Sequence, residues 1–141
     1  MVRSETVWAD DIPERDGTLP VLYSIDFSPD GTRLLVAIGS RVLVYDADNG
    51  ELIHSLKGKL AHRCRPILIS HPESGHKTTV YSVAYSFDGT RFASGGADNS
   101  VIIWTDKCEG ILKYSHGDTV QCLVINQSTP QLAQHSWLTA V

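Results

Sequence analysis

The chain contains an internal repeat. SIDFSPDGTRLLVAIGSRVLVYD begins at Ser24, and SVAYSFDGTRFASGGADNSVIIWTD begins at Ser82. In each copy an alternating apolar strand runs into an Asp-Gly turn, and two further apolar strands follow, the last of which ends on Tyr45 or Trp104. Glycine permits the positive φ that tight hairpin turns need. Short strands separated by turn residues predict antiparallel β structure with little or no helix.

A third copy follows the second. TVYSVAYS at Thr79 matches TVQCLVIN at Thr119, 40 residues later, and the match continues at Leu132 and Ala133. The first two copies are 58 residues apart. A period of roughly 40–45 residues is typical of four-stranded propeller blades. Removal of the 17 residues 59–75 would reduce the first spacing to 41, which predicts an insertion between two blades.

The insertion and its C-terminal flank carry four potential metal ligands, His62, Cys64, His71 and His76. His71 and His76 have a spacing found in structural zinc sites, but a single residue separates His62 from Cys64. A solvated loop between blades is therefore the preferred interpretation, because surface connections accommodate long insertions at small entropic cost. The basic residues of this loop leave contact with an acidic partner open as an alternative.

The second copy resembles a WD40 repeat, through Gly75-His76, Ser94, Asp98 and Trp104 at the separations of that family. The resemblance implies that His76, Ser94, Asp98 and Trp104 form a structural tetrad joined by hydrogen bonds. Such a tetrad is physically reasonable, because a buried indole N–H, hydroxyl and imidazole each need a partner, and a carboxylate can accept from a backbone N–H and a histidine together. The first copy lacks the turn aspartate and has Tyr45 in place of the tryptophan. Only the second copy is expected to hold the full tetrad.

The predicted fold is all-β: a partial, open WD40 β-propeller of about two and a half four-stranded antiparallel blades. Residues 1–22 form an N-terminal segment in which Val7 and Trp8 are candidates for an extra strand. Residues 23–58 are repeat 1, 59–75 the inserted loop, 76–115 repeat 2, and 116–141 an incomplete repeat 3 with a divergent tail. Terminal blades expose apolar surface unless they are capped, so the chain is interpreted as a truncated form of a longer protein.

Composition restricts the function further. A net charge of −4 and a pI near 5.8 argue against a general nucleic-acid binder. The three cysteines include no C-x-x-C pair and are expected to be reduced; Cys122, which matches Ser82, is predicted to be a packed strand thiol. No apolar run reaches membrane-spanning length, so a soluble intracellular chain without direct membrane insertion is expected. No catalytic residue, metal ligand or cofactor site is predicted.

Within the WD40 family, RFASGGADNSVIIW followed by EGILKYSH resembles a subunit of intraflagellar transport complex A. This resemblance implies a non-catalytic scaffold for retrograde ciliary transport, cilium assembly and ciliary membrane-protein trafficking. The implied partners are the other complex A subunits and ciliary cargo, and the implied locations are the cytoplasm, the cilium and the ciliary base. A truncated regulatory or non-functional isoform and a generic WD40 adaptor in another complex are the alternatives.

Overall fold

The computed structural model describes residues 5–12, 20–57, 75–125 and 138–140, and the regular elements in these ranges are all strands. The all-β prediction is confirmed. The strands are β1 (Leu22–Phe27), β2 (Arg33–Ile38), β3 (Arg41–Asp46), β4 (Leu52–Lys57), β5 (Val80–Tyr85), β6 (Arg91–Gly96), β7 (Ser100–Thr105), β8 (Gly110–Ser115), β9 (Leu123–Ile125) and β10 (Leu138–Ala140).

The strands form two four-stranded antiparallel sheets, each in the order in which its strands follow along the chain. We call β1–β4 blade 1 and β5–β8 blade 2. β9 and β10 form a separate antiparallel pair in which Leu138 lies opposite Ile125. Leu132 and Ala133, which were predicted to continue the third repeat, lie outside the described residues.

The Asp-Gly turns close their hairpins through the same local hydrogen bonds in both blades. In blade 1, the Asp30 carboxylate accepts from the hydroxyls of Ser28 and Thr32 and from the backbone amide of Thr32. Asp88 accepts from Ser86 and Thr90 in the same way in blade 2. The glycine after each aspartate has φ of +74° or +68°, a conformation that side chains disfavour. Both turns are therefore specified by local sequence.

The two blades pack face to face around a shared apolar core. Blade 1 contributes Leu35, Ala37, Val42 and Val44, and the opposing residues of blade 2 include Val83, Tyr85, Phe92, Ile102 and Trp104. The face of blade 2 that packs against blade 1 is called the leading face of blade 2. The face of blade 1 that carries the equivalent residues is called the leading face of blade 1. Alternation along each strand places one set of apolar side chains on each face, so both faces of a blade need cover.

The leading faces of the two blades differ in exposure. Val83 and Tyr85 on blade 2 are 4% and 8% exposed, whereas Ile25 and Phe27, their equivalents on blade 1, are 56% and 55% exposed. Blade 1 covers the former pair, and nothing that the structure describes covers the latter.

Part of the leading face of blade 1 is covered by residues 5–12, which contain no strand. Trp8 and Ile12 pack against a cluster formed by Val36, Ile38, Leu43 and Tyr45. The indole of Trp8 stacks on the ring of Tyr45 with a centroid distance of 5.6 Å. Val7 and Trp8, the candidates for an extra strand, thus lie in an irregular segment that caps blade 1.

Candidate functional site

The structure brings the four residues of the predicted tetrad together at the end of blade 2 where β6 turns into β7. Ser94 lies on β6 and Trp104 on β7, while Asp98 is in the turn between them and His76 precedes β5. The indole Nε1 of Trp104 donates to Ser94 Oγ at 2.8 Å. His76 Nε2 lies 2.8 Å from the same oxygen, and His76 Nδ1 lies 2.8 Å from Asp98 Oδ1.

Donor and acceptor requirements assign the protons in this network. An ionised carboxylate only accepts, so His76 Nδ1 carries the proton that it donates to Asp98. Ser94 Oγ already accepts from Trp104, and its own hydroxyl proton has an acceptor if His76 Nε2 is unprotonated. The neutral Nδ1–H tautomer of His76 therefore satisfies all three buried side chains, as buried polar groups require.

Asp98 is held in its ionised form by its surroundings. Burial of the carboxylate raises the pKa, but hydrogen bonds from Ser100, His76 and the backbone amide of Lys77 outweigh this effect, and the pKa of Asp98 falls to about 2. The Ser100 hydroxyl donates to Asp98 Oδ1 at 2.6 Å, and the Lys77 amide donates to Oδ2 at 3.0 Å. The network therefore ties the segment before β5 to the β6–β7 turn.

Two residues of this network were not identified from the sequence. Ser100 is buried and adds a fifth side chain to the tetrad. Gly96 is required by space, because a Cβ at this position would lie 2.5 Å from the Thr79 carbonyl oxygen and 3.2 Å from His76 Nδ1. The sequence signal for Ser100 is its position two residues after the turn aspartate, Asp98.

A second set of polar contacts joins neighbouring blades along their first strands. The Val83 backbone amide donates to Ser24 Oγ at 3.4 Å, and in the equivalent place the Leu123 amide donates to Ser82 Oγ at 3.0 Å. The Tyr85 amide also donates to the Asp26 carboxylate at 2.7 Å, between blades 1 and 2. Backbone bonds add to this seam, since Val80 N donates to Gly39 O at 2.7 Å and Val120 N donates to Gly96 O at 3.2 Å. The serine and backbone contacts recur from one blade to the next and fix the stacking of the blades.

The prediction that Cys122 is a packed strand thiol is wrong. The residue is exposed and precedes β9, which begins at Leu123. Its equivalent, Ser82, is buried because residues around Leu123 pack over it. No described residue covers Cys122 in the same manner, so the same position in the repeat is solvent-accessible here.

The predicted insertion lies largely outside the described residues. This applies to His62, Cys64 and His71, whereas His76 is engaged in the tetrad. Gly75, at the end of the insertion, is buried, and its carbonyl oxygen accepts from Lys113 Nζ at 3.4 Å. Within the described ranges, no group of three or more His, Cys, Asp or Glu residues is arranged to hold a metal ion, and no helix could span a membrane.

The WD40 family, described as the WD domain, G-beta repeat, matches residues 67–105. The chain therefore contains one stretch that matches a WD40 repeat. The match contains the whole tetrad and ends at the end of β7. It begins inside the stretch 59–75 that was predicted to be inserted, so part of that stretch aligns with the family pattern.

The chain is similar to proteins called intraflagellar transport protein 122 homolog. Identity is 49% over 135 residues with the protein from Xenopus tropicalis, which is 96% of this chain and 10% of the relative. With the Homo sapiens protein it is 51% over 122 residues, which is 86% of this chain and 8% of the relative. The chain thus spans about a tenth of the length of these relatives. WD repeat-containing protein 1 of Xenopus tropicalis is 29% identical over 83% of the chain and 17% of that relative.

Solved structures show the same fold. The WD40 repeats of RRP9 superimpose with a TM-score of 0.66 at 19% identity, covering 89% of this chain and 39% of that structure. The structure of U3-55K superimposes with the same TM-score and identity, and this chain covers 40% of it. These similarities confirm the propeller architecture.

Proposed function

We propose that the chain acts as a non-catalytic scaffold for protein–protein interaction, in the manner of a subunit of intraflagellar transport complex A. The observation that carries the proposal is identity of about half the residues across nearly the whole chain with intraflagellar transport protein 122 homologs. WD repeat-containing protein 1 shares the repeat pattern but only 29% identity. The higher identity therefore extends beyond the residues that every WD40 repeat needs.

The local chemistry of the described residues supports a structural role for their polar clusters. His76, Ser94 and Asp98 are turned toward one another inside blade 2 and hold its turns together. The resemblance to a serine–histidine–aspartate catalytic arrangement is superficial, because Ser94 Oγ is fully buried and also accepts from Trp104. A nucleophile must reach its substrate, and this hydroxyl cannot.

The surfaces left for partners are the loops and the uncovered apolar faces. The 59–75 segment joins two blades and is a natural contact region for other proteins. We propose the other complex A subunits and ciliary cargo as partners, and the cytoplasm, cilium and ciliary base as locations.

Affinity capture from ciliated cells tests this function. The tagged chain is expected to enrich intraflagellar transport subunits over the variant Leu35→Asp, which places a charge in the core shared by the blades. Ser115→Ala, an exposed substitution on β8, is the matched control and is expected to retain the enrichment. Enrichment of an unrelated complex would support a generic adaptor instead. Enrichment of no protein by a folded chain would support a non-functional isoform.

A further inference from the structure

A cleft of about 390 Å³ lies between the two blades, on the side of the Asp-Gly turns. Blade 1 contributes Asp30 and Arg33 to its lining, and blade 2 contributes Tyr85, Asp88 and Asp106. Sites for small ligands in proteins commonly measure roughly 300–1,000 Å³. The cleft is therefore large enough to receive a side chain from another molecule.

The hydroxyl of Tyr85 is the unusual feature of this cleft. Tyr85 is 8% exposed, and its buried hydroxyl has no hydrogen-bond partner among the described residues. Burial raises the pKa of Tyr85 to about 12, so the phenol is neutral and can donate or accept. The ring packs against Phe92 at a centroid distance of 5.6 Å, which fixes its position. A buried polar group held in place without a partner is destabilising unless a ligand supplies one.

The charges around this hydroxyl favour a cation. The lining contains three aspartates and one arginine, a formal charge of −2. A hydrogen bond from the Ser28 hydroxyl is the largest influence that lowers the pKa of Asp30, and one from Ser86 acts likewise on Asp88. Both carboxylates are therefore ionised at neutral pH. Arg33 already spans the cleft, where its Nη1 donates to the Asp106 carbonyl oxygen at 2.5 Å.

We propose that this cleft binds an arginine side chain presented by an extended segment of a partner protein. The planar guanidinium has five N–H donors, which allows it to bond the Tyr85 oxygen and an aspartate carboxylate together. Phe87, which directly precedes Asp88, is 66% exposed and offers an apolar contact to the neighbouring residues of that segment. The proposal rests on the scaffold function and specifies the chemistry of one partner.

Binding of N-acetyl-arginine methylamide to the whole chain tests the proposal, with backbone amide chemical shifts as the readout. Saturable shifts are expected in residues 28–33 and 85–91, and they are expected to weaken as salt is raised. N-acetyl-citrulline methylamide has nearly the same shape without the charge, and it is expected to produce no saturable shift. Lysine and glutamate analogues separate a preference for guanidinium from a preference for any charge. No saturable shift in the cleft, or equal binding of citrulline, would overturn the proposal.

The variant Tyr85→Phe removes only the hydroxyl. It is expected to weaken arginine binding about three- to tenfold while the melting temperature stays the same or rises. Tyr114→Phe, at a half-exposed position on β8, is the matched control and is expected to change neither quantity. Unchanged arginine binding by Tyr85→Phe would contradict the assignment. If arginine does not bind while transport subunits are still captured, the proposal for the cleft is wrong and the scaffold function stands. If arginine binds but no transport subunit is captured, only the scaffold function is rejected.

Discussion

Tyr45 and Trp104 occupy equivalent positions on the leading faces of their blades, yet their polar atoms bind different parts of the chain. Trp104 Nε1 donates to Ser94 within its own blade, whereas the Tyr45 hydroxyl donates to Asp10, which precedes blade 1, at 2.7 Å. Burial, followed by the hydrogen bond and negative charge of Asp10, raises the pKa of Tyr45 to about 12. Blade 2 is therefore held by an internal network, and blade 1 depends on residues 5–12.

Removal of the central hydroxyl of the tetrad is expected to destabilise blade 2 strongly. In Ser94→Ala, the buried groups His76 Nε2 and Trp104 Nε1 both lose their partner. We expect a loss of about 2–4 kcal/mol in the free energy of unfolding, measured by chemical denaturation. Ser115→Ala, on the exposed strand β8, is expected to change it by less than about 0.5 kcal/mol. Similar effects of both variants would refute the tetrad as a stabilising unit.

The lowered pKa of Asp98 predicts how the free energy of unfolding depends on pH. Its pKa is lowered from 3.8 to about 2 in the folded chain, so it contributes stability above pH 3.8 that is lost as the pH falls toward 2. The native chain should exceed Asp98→Asn in unfolding free energy at neutral pH, and the difference should narrow between about pH 4 and about pH 2. Urea denaturation at a series of pH values measures this difference. A gap that stays constant over this range would contradict the role given to the carboxylate.

Trp8→Ala is expected to open the leading face of blade 1. The substitution removes the stack on Tyr45 and the hydrogen bond from Trp8 Nε1 to the Ala47 carbonyl oxygen at 3.0 Å. Because Trp8 is only half-buried, we expect a loss of about 1–3 kcal/mol. Hydrogen exchange should accelerate in β2 and β3 and remain slow in β6 and β7. Val7→Ala, at a position 77% exposed, is the control that should leave the exchange unchanged.

Gly95 is expected to tolerate no larger side chain while β9 remains packed on blade 2. A Cβ at this position would lie 2.6 Å from Val120 Cγ1 and 3.0 Å from Leu123 Cδ1. We expect Gly95→Val to cost about 1–3 kcal/mol and to accelerate hydrogen exchange in residues 120–125. Gly117→Ala is a suitable control, because a Cβ there meets nothing within 4 Å. Unaltered protection of residues 120–125 in Gly95→Val would argue against this packing.

The sequence predicts those parts of the fold that depend on local rules. The Asp-Gly turns and the strand pattern follow from residues close together in the sequence, whereas the tetrad was implied by the resemblance to WD40 repeats. The seam from Asp26 to the Tyr85 amide could not be predicted, because it depends on how one blade is placed against the next. The placement of the blades also decides burial. Phe27 and Tyr85 have the same position in the repeat, but Phe27 is exposed and Tyr85 is buried. For the same reason the repeat pattern wrongly predicted that Cys122 is packed. The stack of Trp8 on Tyr45 could not be predicted either, because it depends on how residues 5–12 pack against blade 1.

Direct binding between purified components tests the scaffold function most directly. The whole chain is titrated onto purified complex A subunits by biolayer interferometry, with Leu35→Asp as the packing variant and Ser115→Ala as the matched control. We predict saturable binding of the native chain and of Ser115→Ala, and loss of binding by Leu35→Asp. A native chain that is folded by circular dichroism and binds none of these subunits would contradict the account.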